Sequence, residues 1–312
     1  MKKKFLVTGA KGFVGHHWCE KLINKGHFVE ALDIKENINP IKNKNFKYYR
    51  KSVFDYKFVE KLIKRNDIIC HFAGIAEPKE YLKRAPQVIE LTVLPSFKII
   101  ELCAKHKKKL IYTSTSEIYG KSNKTPFAEN DDRVLGSANK NRWCYSASKS
   151  VVEHYIHAHS FKNGLNFIIF RLFNIFGPGL KGRVVDEFIN KCLINNDLLI
   201  NGDGKQTRCF LYIDDCMDAF FKIISKKETL NETFNIGSNK ETNIIDFARI
   251  VIALTKSKSK IIKNSSQMIK LGGYEDIKRR VPSLKKIRKY INWKPKISLK
   301  TGLKKTIETS DI

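Results

Sequence analysis

Up to Arg171 the chain alternates short apolar runs with longer stretches whose apolar residues recur at helical spacing. Residues 3–8 form a β-favouring run ended by glycine, and a helical pattern follows through Ile23. A second strand is expected at 28–33 and a third at 67–74, where apolar residues run without alternation and stop at a small-residue turn. A long helix is expected over roughly 86–105. Residues 109–120 then read as a strand whose C-terminal end carries hydroxyls and one carboxylate, and residues 143–149 open another helix. Strand and helix in turn predict an α/β fold: a Rossmann-type doubly wound parallel sheet with helices on both faces. After Arg171 glycine and proline become denser and the alternation turns irregular, which predicts a smaller C-terminal substrate domain. No linker, repeat or low-complexity tract interrupts the chain.

Composition narrows the class. Among 312 residues, 42% hydrophobic, no apolar run reaches the roughly 18 residues of a membrane span. The lysine-rich start is followed by too short an apolar stretch for a signal peptide, so a cytoplasmic protein without membrane attachment is expected. Seven cysteines, odd in number and without paired spacing, read as reduced thiols. His154, His157 and His159 lack a nearby carboxylate or cysteine set, and no metal is expected. The formal charge of +28 raises nucleic acid as a partner, but no nucleic-acid-binding pattern accompanies it. Residues 256–308 hold seventeen Lys and Arg against three Asp and Glu, and a small polyanionic substrate accounts for the excess as well.

Candidate chemistry sits at the strand ends. Gly9, Gly12 and Gly15 fall between the first strand and the first helix: the first allows a tight turn, the second lets backbone N–H groups approach a pyrophosphate, the third permits close helix-to-strand packing. Asp33 ends the second strand at the distance expected for a carboxylate on the adenosine ribose, and it would repel a 2'-phosphate, so NAD is the expected cofactor. Tyr145 and Lys149 lie one helical turn apart on one face. The lysine ammonium is expected to lower the phenol pKa and make Tyr145 a general base. Thr115, Ser116 and Glu117 lie at the C-terminal end of their strand, where open α/β sheets bind ligands. Arg183, Arg208 and Arg280 are guanidinium candidates for a nucleotide diphosphate.

These motifs together, with residues 170–179, 201–210, 212–215, 234–237 and 293–296, resemble the extended short-chain dehydrogenase/reductases, the superfamily of nucleotide-sugar epimerases, dehydratases and decarboxylases, over the whole chain. The resemblance implies a cofactor domain of residues 1–173 with a returning segment near 211–238, and a nucleotide-sugar domain of 174–210 and 239–312. It implies cofactor contacts from Gly9, Gly12, Phe13, Val14, Gly15, Asp33, Ser52, Val53, Phe72, Ala73, Gly74, Tyr145, Lys149 and Phe173, and substrate contacts from Asn174, Arg183, Arg208, Tyr274 and Arg280. It also implies a homodimer in which helices near 87–105 and 145–160 pack as a four-helix bundle. Tyr145 would take a proton from a sugar hydroxyl, usually at C4, with Thr115 holding that hydroxyl, and the 4-keto product admits three second steps. Residues 76–81, 139–145 and 273–282 resemble UDP-glucuronate decarboxylases of lipid A modification and UDP-apiose/xylose synthases, in which the positions of Ser116, Glu117 and Arg280 serve decarboxylation. Dehydratases carry Asp-Glu where this chain has Ser116-Glu117, which weakens that reading. The connection after Pro178 is shorter than in the lipid A enzymes and resembles an ordinary epimerase, so a 4-epimerase is the alternative to decarboxylation. A non-catalytic NAD-binding sensor is the reading from a different class; the presence of both Tyr145 and Lys149 argues against it.

Overall fold

The computed structural model describes residues 2–36, 41–264 and 277–310. Its N-terminal part runs β1 (Lys4–Thr8), α1 (Phe13–Asn24), β2 (Phe28–Asp33), β3 (Phe46–Arg50), α2 (Tyr56–Arg65), β4 (Ile68–His71), α3 (Pro78–Lys83), α4 (Ala85–Lys105), β5 (Lys109–Thr115), α5 (Cys144–Asn163) and β6 (Phe167–Leu172). There follow β7 (Ile175–Phe176), α6 (Val184–Leu193), β8 (Leu198–Asn201), β9 (Thr207–Cys209), β10 (Leu211–Tyr212), α7 (Ile213–Ile224) and β11 (Glu232–Ile236). The chain continues through β12 (Glu241–Asn243), α8 (Ile244–Thr255), β13 (Ile261–Asn264), α9 (Lys285–Ile291) and α10 (Leu299–Glu308).

Seven strands form one sheet in the order β11-β6-β5-β4-β1-β2-β3, and every pair is parallel. The order reverses at β1, so a crevice opens between the carboxyl ends of β1 and β4. Because strand side chains alternate, each buried strand feeds two cores. Phe5, Val7, Ile111, Ile168 and Phe170 face a cluster with α1 and α7, while Leu6, Leu110, Tyr112, Phe167 and Ile169 face one with α2, α4 and α5. Burying each such side chain contributes about 1.5–3 kcal/mol, which is why the strands read as unbroken apolar runs.

The shorter elements pack beyond the carboxyl edge. β7 pairs with β10 and β8 with β13 in parallel, and β9 pairs with β12 antiparallel. Phe176, Phe188, Phe210 and Phe247 continue the core that begins at Trp18 and Phe220, so this part is fixed to the sheet by apolar burial. A buried ion network holds α5 against β6: Glu153 accepts from Arg171 (Nη2 at 2.7 Å) and from Arg133 (Nη2 at 2.6 Å). Removing either arginine would leave Glu153 under-compensated, which makes the relative position of helix and strand hard to change. Since Tyr145 and Lys149 lie in α5, the network also fixes their position over β5.

Candidate active site

A cleft of about 1520 Å³ follows the carboxyl ends of the strands and is roofed by the C-terminal elements. Gly9, Gly12, Phe13, Val14 and Gly15 line one end. Gly9 has φ +69°, and a Cβ there would lie 2.6 Å from the Ala73 nitrogen; a Cβ on Gly15 would lie 2.1 Å from the Gly9 oxygen. The turn therefore tolerates no side chain at either position. Helix α1 starts at Phe13, capped by Gly12 with no side-chain hydrogen bond and with no acid in its first turn, so its N-terminal N–H groups face the cleft available to an anion. That cradle fits the pyrophosphate of a dinucleotide. Asp33 is fixed beside it: one carboxylate oxygen accepts the Lys11 N–H (2.9 Å), the other the Lys35 N–H (3.1 Å).

The floor at the switch point is braced by a buried hydrogen-bond chain. Ser96 donates to the Thr92 carbonyl (2.5 Å), so His71 donates from Nε2 to Ser96 (3.0 Å) and accepts at Nδ1 from Thr8 (2.7 Å). Thr8 Oγ1 in turn accepts the N–H groups of Phe72 and Ala73, both at 3.3 Å. Burial lowers the His71 pKa to about 3, so the ring stays neutral and the chain keeps one direction.

Phe72 and Gly74 line the cleft as expected, as do Thr115, Ser116, Glu117, Tyr145, Lys149, Asn174, Arg183, Arg208 and Arg280. Asp33, held beside the glycine turn, does not itself line the cleft, and neither do four others. Ser52 and Val53 lie in the turn before α2, where Ser52 Oγ accepts the Phe54 N–H and Val53 packs on the α2/α4/α5 core. Ala73 meets the back of the glycine turn rather than the cleft. Phe173 is fully buried with Ile118, Tyr119 and Phe127; its neighbours Leu172 and Asn174 face the cleft instead, as adjacent residues leaving a strand do. Tyr274 lies outside the described residues.

Lys149 donates to the Thr113 carbonyl (2.8 Å) with its ammonium 4.4 Å from the Tyr112 ring centre and 5.9 Å from that of Tyr145. The expected lowering of the Tyr145 pKa is corrected here. Burial pushes the phenol up, the Glu117 carboxylate adds to the rise, and Arg183 opposes it. Burial also lowers the Lys149 pKa to about 7, leaving it only partly charged near neutrality.

Two residues that motif reading did not assign complete the centre. Tyr81 stacks on Tyr145 with ring centres 4.7 Å apart and donates to the Ala76 carbonyl (2.7 Å). Arg142 is buried and pairs with Glu117 (Nη1–Oε2, 2.6 Å), while Arg280 reaches the other carboxylate oxygen (Nη1–Oε1, 3.3 Å). Burial alone would raise the Glu117 pKa; the two guanidiniums overturn it and hold the carboxyl down at about 2. Arg142 stands three residues before Tyr145 and was within reach of a motif argument, whereas Tyr81 is brought there only by the packing of α3 on α4 and on the turn that precedes α5. Asn174 lines the cleft and carries a buried side-chain N–H₂ without a protein partner. Thirteen Lys and Arg but only four Asp and Glu line the cleft, which makes it strongly attractive to anions. Among the described residues no group of three His, Cys, Asp or Glu is placed to hold a metal ion.

Fold, glycine cradle and Tyr-Lys pair define an NAD-dependent enzyme, and residues 5–237 match the NAD dependent epimerase/dehydratase family, to which the chain belongs. It is similar along its whole length to a UDP-N-acetyl-alpha-D-glucosaminuronate decarboxylase of Bacillus cytotoxicus, 35% identical over 322 residues that cover 99% of this chain and 98% of the relative. A bifunctional polymyxin resistance protein of Wigglesworthia glossinidia brevipalpis is 34% identical over 98% of this chain, which spans 51% of that protein. The UDP-glucose 4-epimerase of Thermotoga maritima, solved with UDP-glucose, superposes with a TM-score of 0.86 at 26% identity over 98% of both chains.

Proposed function

We propose that the enzyme acts on a nucleotide-linked hexuronate, oxidising the sugar at C4 and releasing its carboxylate as CO2. The observation that carries this reading is the Arg142–Glu117–Arg280 cluster beside Tyr145. Two guanidiniums on one carboxylate leave a net positive charge in a buried place, which suits one substrate carboxylate and suits a neutral sugar poorly. The full-length likeness to a uronate decarboxylase supports it.

Tyr145 takes the C4 hydroxyl proton and Thr115 holds that hydroxyl. With the phenol raised by burial, its ionisation relies on Arg183, the cation that opposes the rise. Bound NAD supplies the two-electron acceptor, held by the glycine turn, Asp33, Phe72, Gly74 and Lys149. Once C4 is a ketone, the C5–C6 bond breaks, CO2 leaves, the bonding electrons spread onto the C4 oxygen, and C5 takes up one proton. Arg280 orients the carboxylate until it departs, while Ser116 and Glu117 border the reacting carbons. Asn174, Arg183 and Arg208 hold the nucleotide diphosphate. In this reading residues 1–173 and 211–238 form the cofactor domain, a division supported by β11 joining the main sheet, and 174–210 with 239–312 form the substrate domain. The enzyme is a homodimer through α4 and α5, supported by exposed Ile89, Leu94 and Val151 on those helices. It is cytoplasmic, consistent with seven free thiols and with no helix among the described residues long and apolar enough to cross a membrane.

Incubation with NAD and, separately, UDP-glucuronate, UDP-N-acetylglucosaminuronate and UDP-glucose, followed by product mass, tests the reaction. Loss of one CO2 from a uronate is the expected result. The second reading, a 4-epimerase, is favoured by the short connection after Pro178 and the likeness to an epimerase, and would give products of unchanged mass.

A further inference from the structure

Residues 277–283 run as a strap between the C-terminal elements and the connection from β5 to α5. On one side Arg208 Nη1 donates to the Ile277 carbonyl (2.9 Å) and the Thr207 N–H to the Lys278 carbonyl (3.0 Å). On the other, the Phe127 N–H donates to the Val281 carbonyl (2.8 Å) and the Ser283 N–H to the Phe127 carbonyl (2.7 Å). Arg280 lies between these two sets of stitches, with its guanidinium on Glu117 in the cleft. The residue before it, Arg279, also lines the cleft, but its guanidinium is taken up by Glu241 of β12 in a two-pronged pair, Nη2–Oε1 at 2.6 Å and Nε–Oε2 at 3.0 Å. Glu241 Oε2 also accepts from the Thr207 hydroxyl at 2.5 Å, tying the pair to β9.

Glu241 does not line the cleft, whereas Arg279 does, with its side chain 56% exposed. A surface pair of this kind contributes about 0–1 kcal/mol to stability, so the fold does not depend on it. What it adds to the backbone stitches is a side-chain anchor next to Arg280: Arg279 is held on Glu241 of β12 while Arg280 turns to Glu117.

We propose that Glu241 is a positioning residue for the second step of the reaction, acting through Arg279 to set Arg280. The inference rests on the reading above, in which Arg280 meets the sugar carboxylate. Tyr145, Lys149 and Thr115 belong to α5 and β5 and are independent of the strap, so loosening it separates the two steps: C4 oxidation persists while C5–C6 cleavage slows.

The test uses the full-length enzyme with NAD and whichever of UDP-glucuronate and UDP-N-acetylglucosaminuronate the wild type decarboxylates. In single turnovers, the rise of reduced-cofactor absorbance reports C4 oxidation and released CO2 reports cleavage. Glu241→Gln and Arg279→Met are each expected to slow CO2 release by roughly two- to fivefold, the most that a surface pair of this strength can hold in place. In Glu241→Gln, which lies outside the cleft lining, oxidation rate, NAD affinity and thermal midpoint stay at wild-type values, and 4-keto uronate accumulates. The exchanged pair Glu241→Arg with Arg279→Glu is expected to recover cleavage. Equal loss of both steps, no loss of either, or failure of the exchanged pair to recover cleavage would overturn the proposal. If wild type releases CO2 from neither uronate, the decarboxylase reading itself fails, and that result is visible before any variant is made.

Discussion

At the scale of single residues, the centre is governed by burial as much as by proximity. Tyr145 and Lys149 are one turn apart, yet each is pushed towards its neutral form because both are taken out of water. Tyr145→Phe is expected to lower turnover by about 10²–10⁴-fold while NAD still binds; unchanged turnover would remove Tyr145 from the reaction. Lys149 also leaves a signature in stability. Below pH 7 the folded and unfolded chains both hold its proton and the penalty of burying the charge is complete. Between about pH 7 and 10.4 only the unfolded chain holds it, so stability rises with pH across that window. Denaturant unfolding without cofactor should show this rise in wild type relative to Lys149→Met; parallel pH profiles would contradict it. The pair's presence was legible from spacing alone. The direction of its pKa shifts was not, because spacing carries no information about what else surrounds a side chain.

At the scale of elements, the glycine turn joining β1 to α1 is the clearest case of sequence dictating geometry. A Cβ at Gly15 would sit 2.1 Å from the Gly9 oxygen, inside any real contact distance, so Gly15→Ala must push α1 away from the strand end. Overpacking of this kind costs about 1–3 kcal/mol. The displaced helix N-terminus should weaken NAD binding at least tenfold, as read by titration calorimetry, together with a lowered melting temperature. Full NAD affinity in this variant would show that the helix N-terminus does not carry the pyrophosphate. Helix limits followed from periodicity: α4 spans Ala85–Lys105, within a residue of the expected helix, and the sequence strand at 109–120 resolves into β5 followed by a 3₁₀ turn over Ser116–Tyr119. That turn buries Glu117 where the two arginines reach it, a consequence no strand periodicity could display.

At the scale of the whole molecule, charge and surface apolarity remain to be assigned. The cleft concentrates part of the +28 excess, and the substrate this reading assigns carries two phosphates and a carboxylate. The apolar residues exposed on α4 and α5 belong to the dimer reading: Leu94→Glu, on a side chain 51% exposed, is expected to convert a dimer to a monomer by light scattering without lowering the melting temperature of the monomer. A wild type that is monomeric at working concentration would end that reading. By itself the sequence determined the parallel sheet, the glycine cradle, the Tyr-Lys pair and the family, because these depend on local period, on residues that lack a side chain, and on spacings within one turn. Only the tertiary structure decided that Arg142 and Arg280, 138 positions apart, close on one carboxylate, that Tyr81 stacks on Tyr145, and that Phe173 turns into the core. Those arrangements depend on which elements the sheet order brings side by side, and on how burial changes charge once they meet.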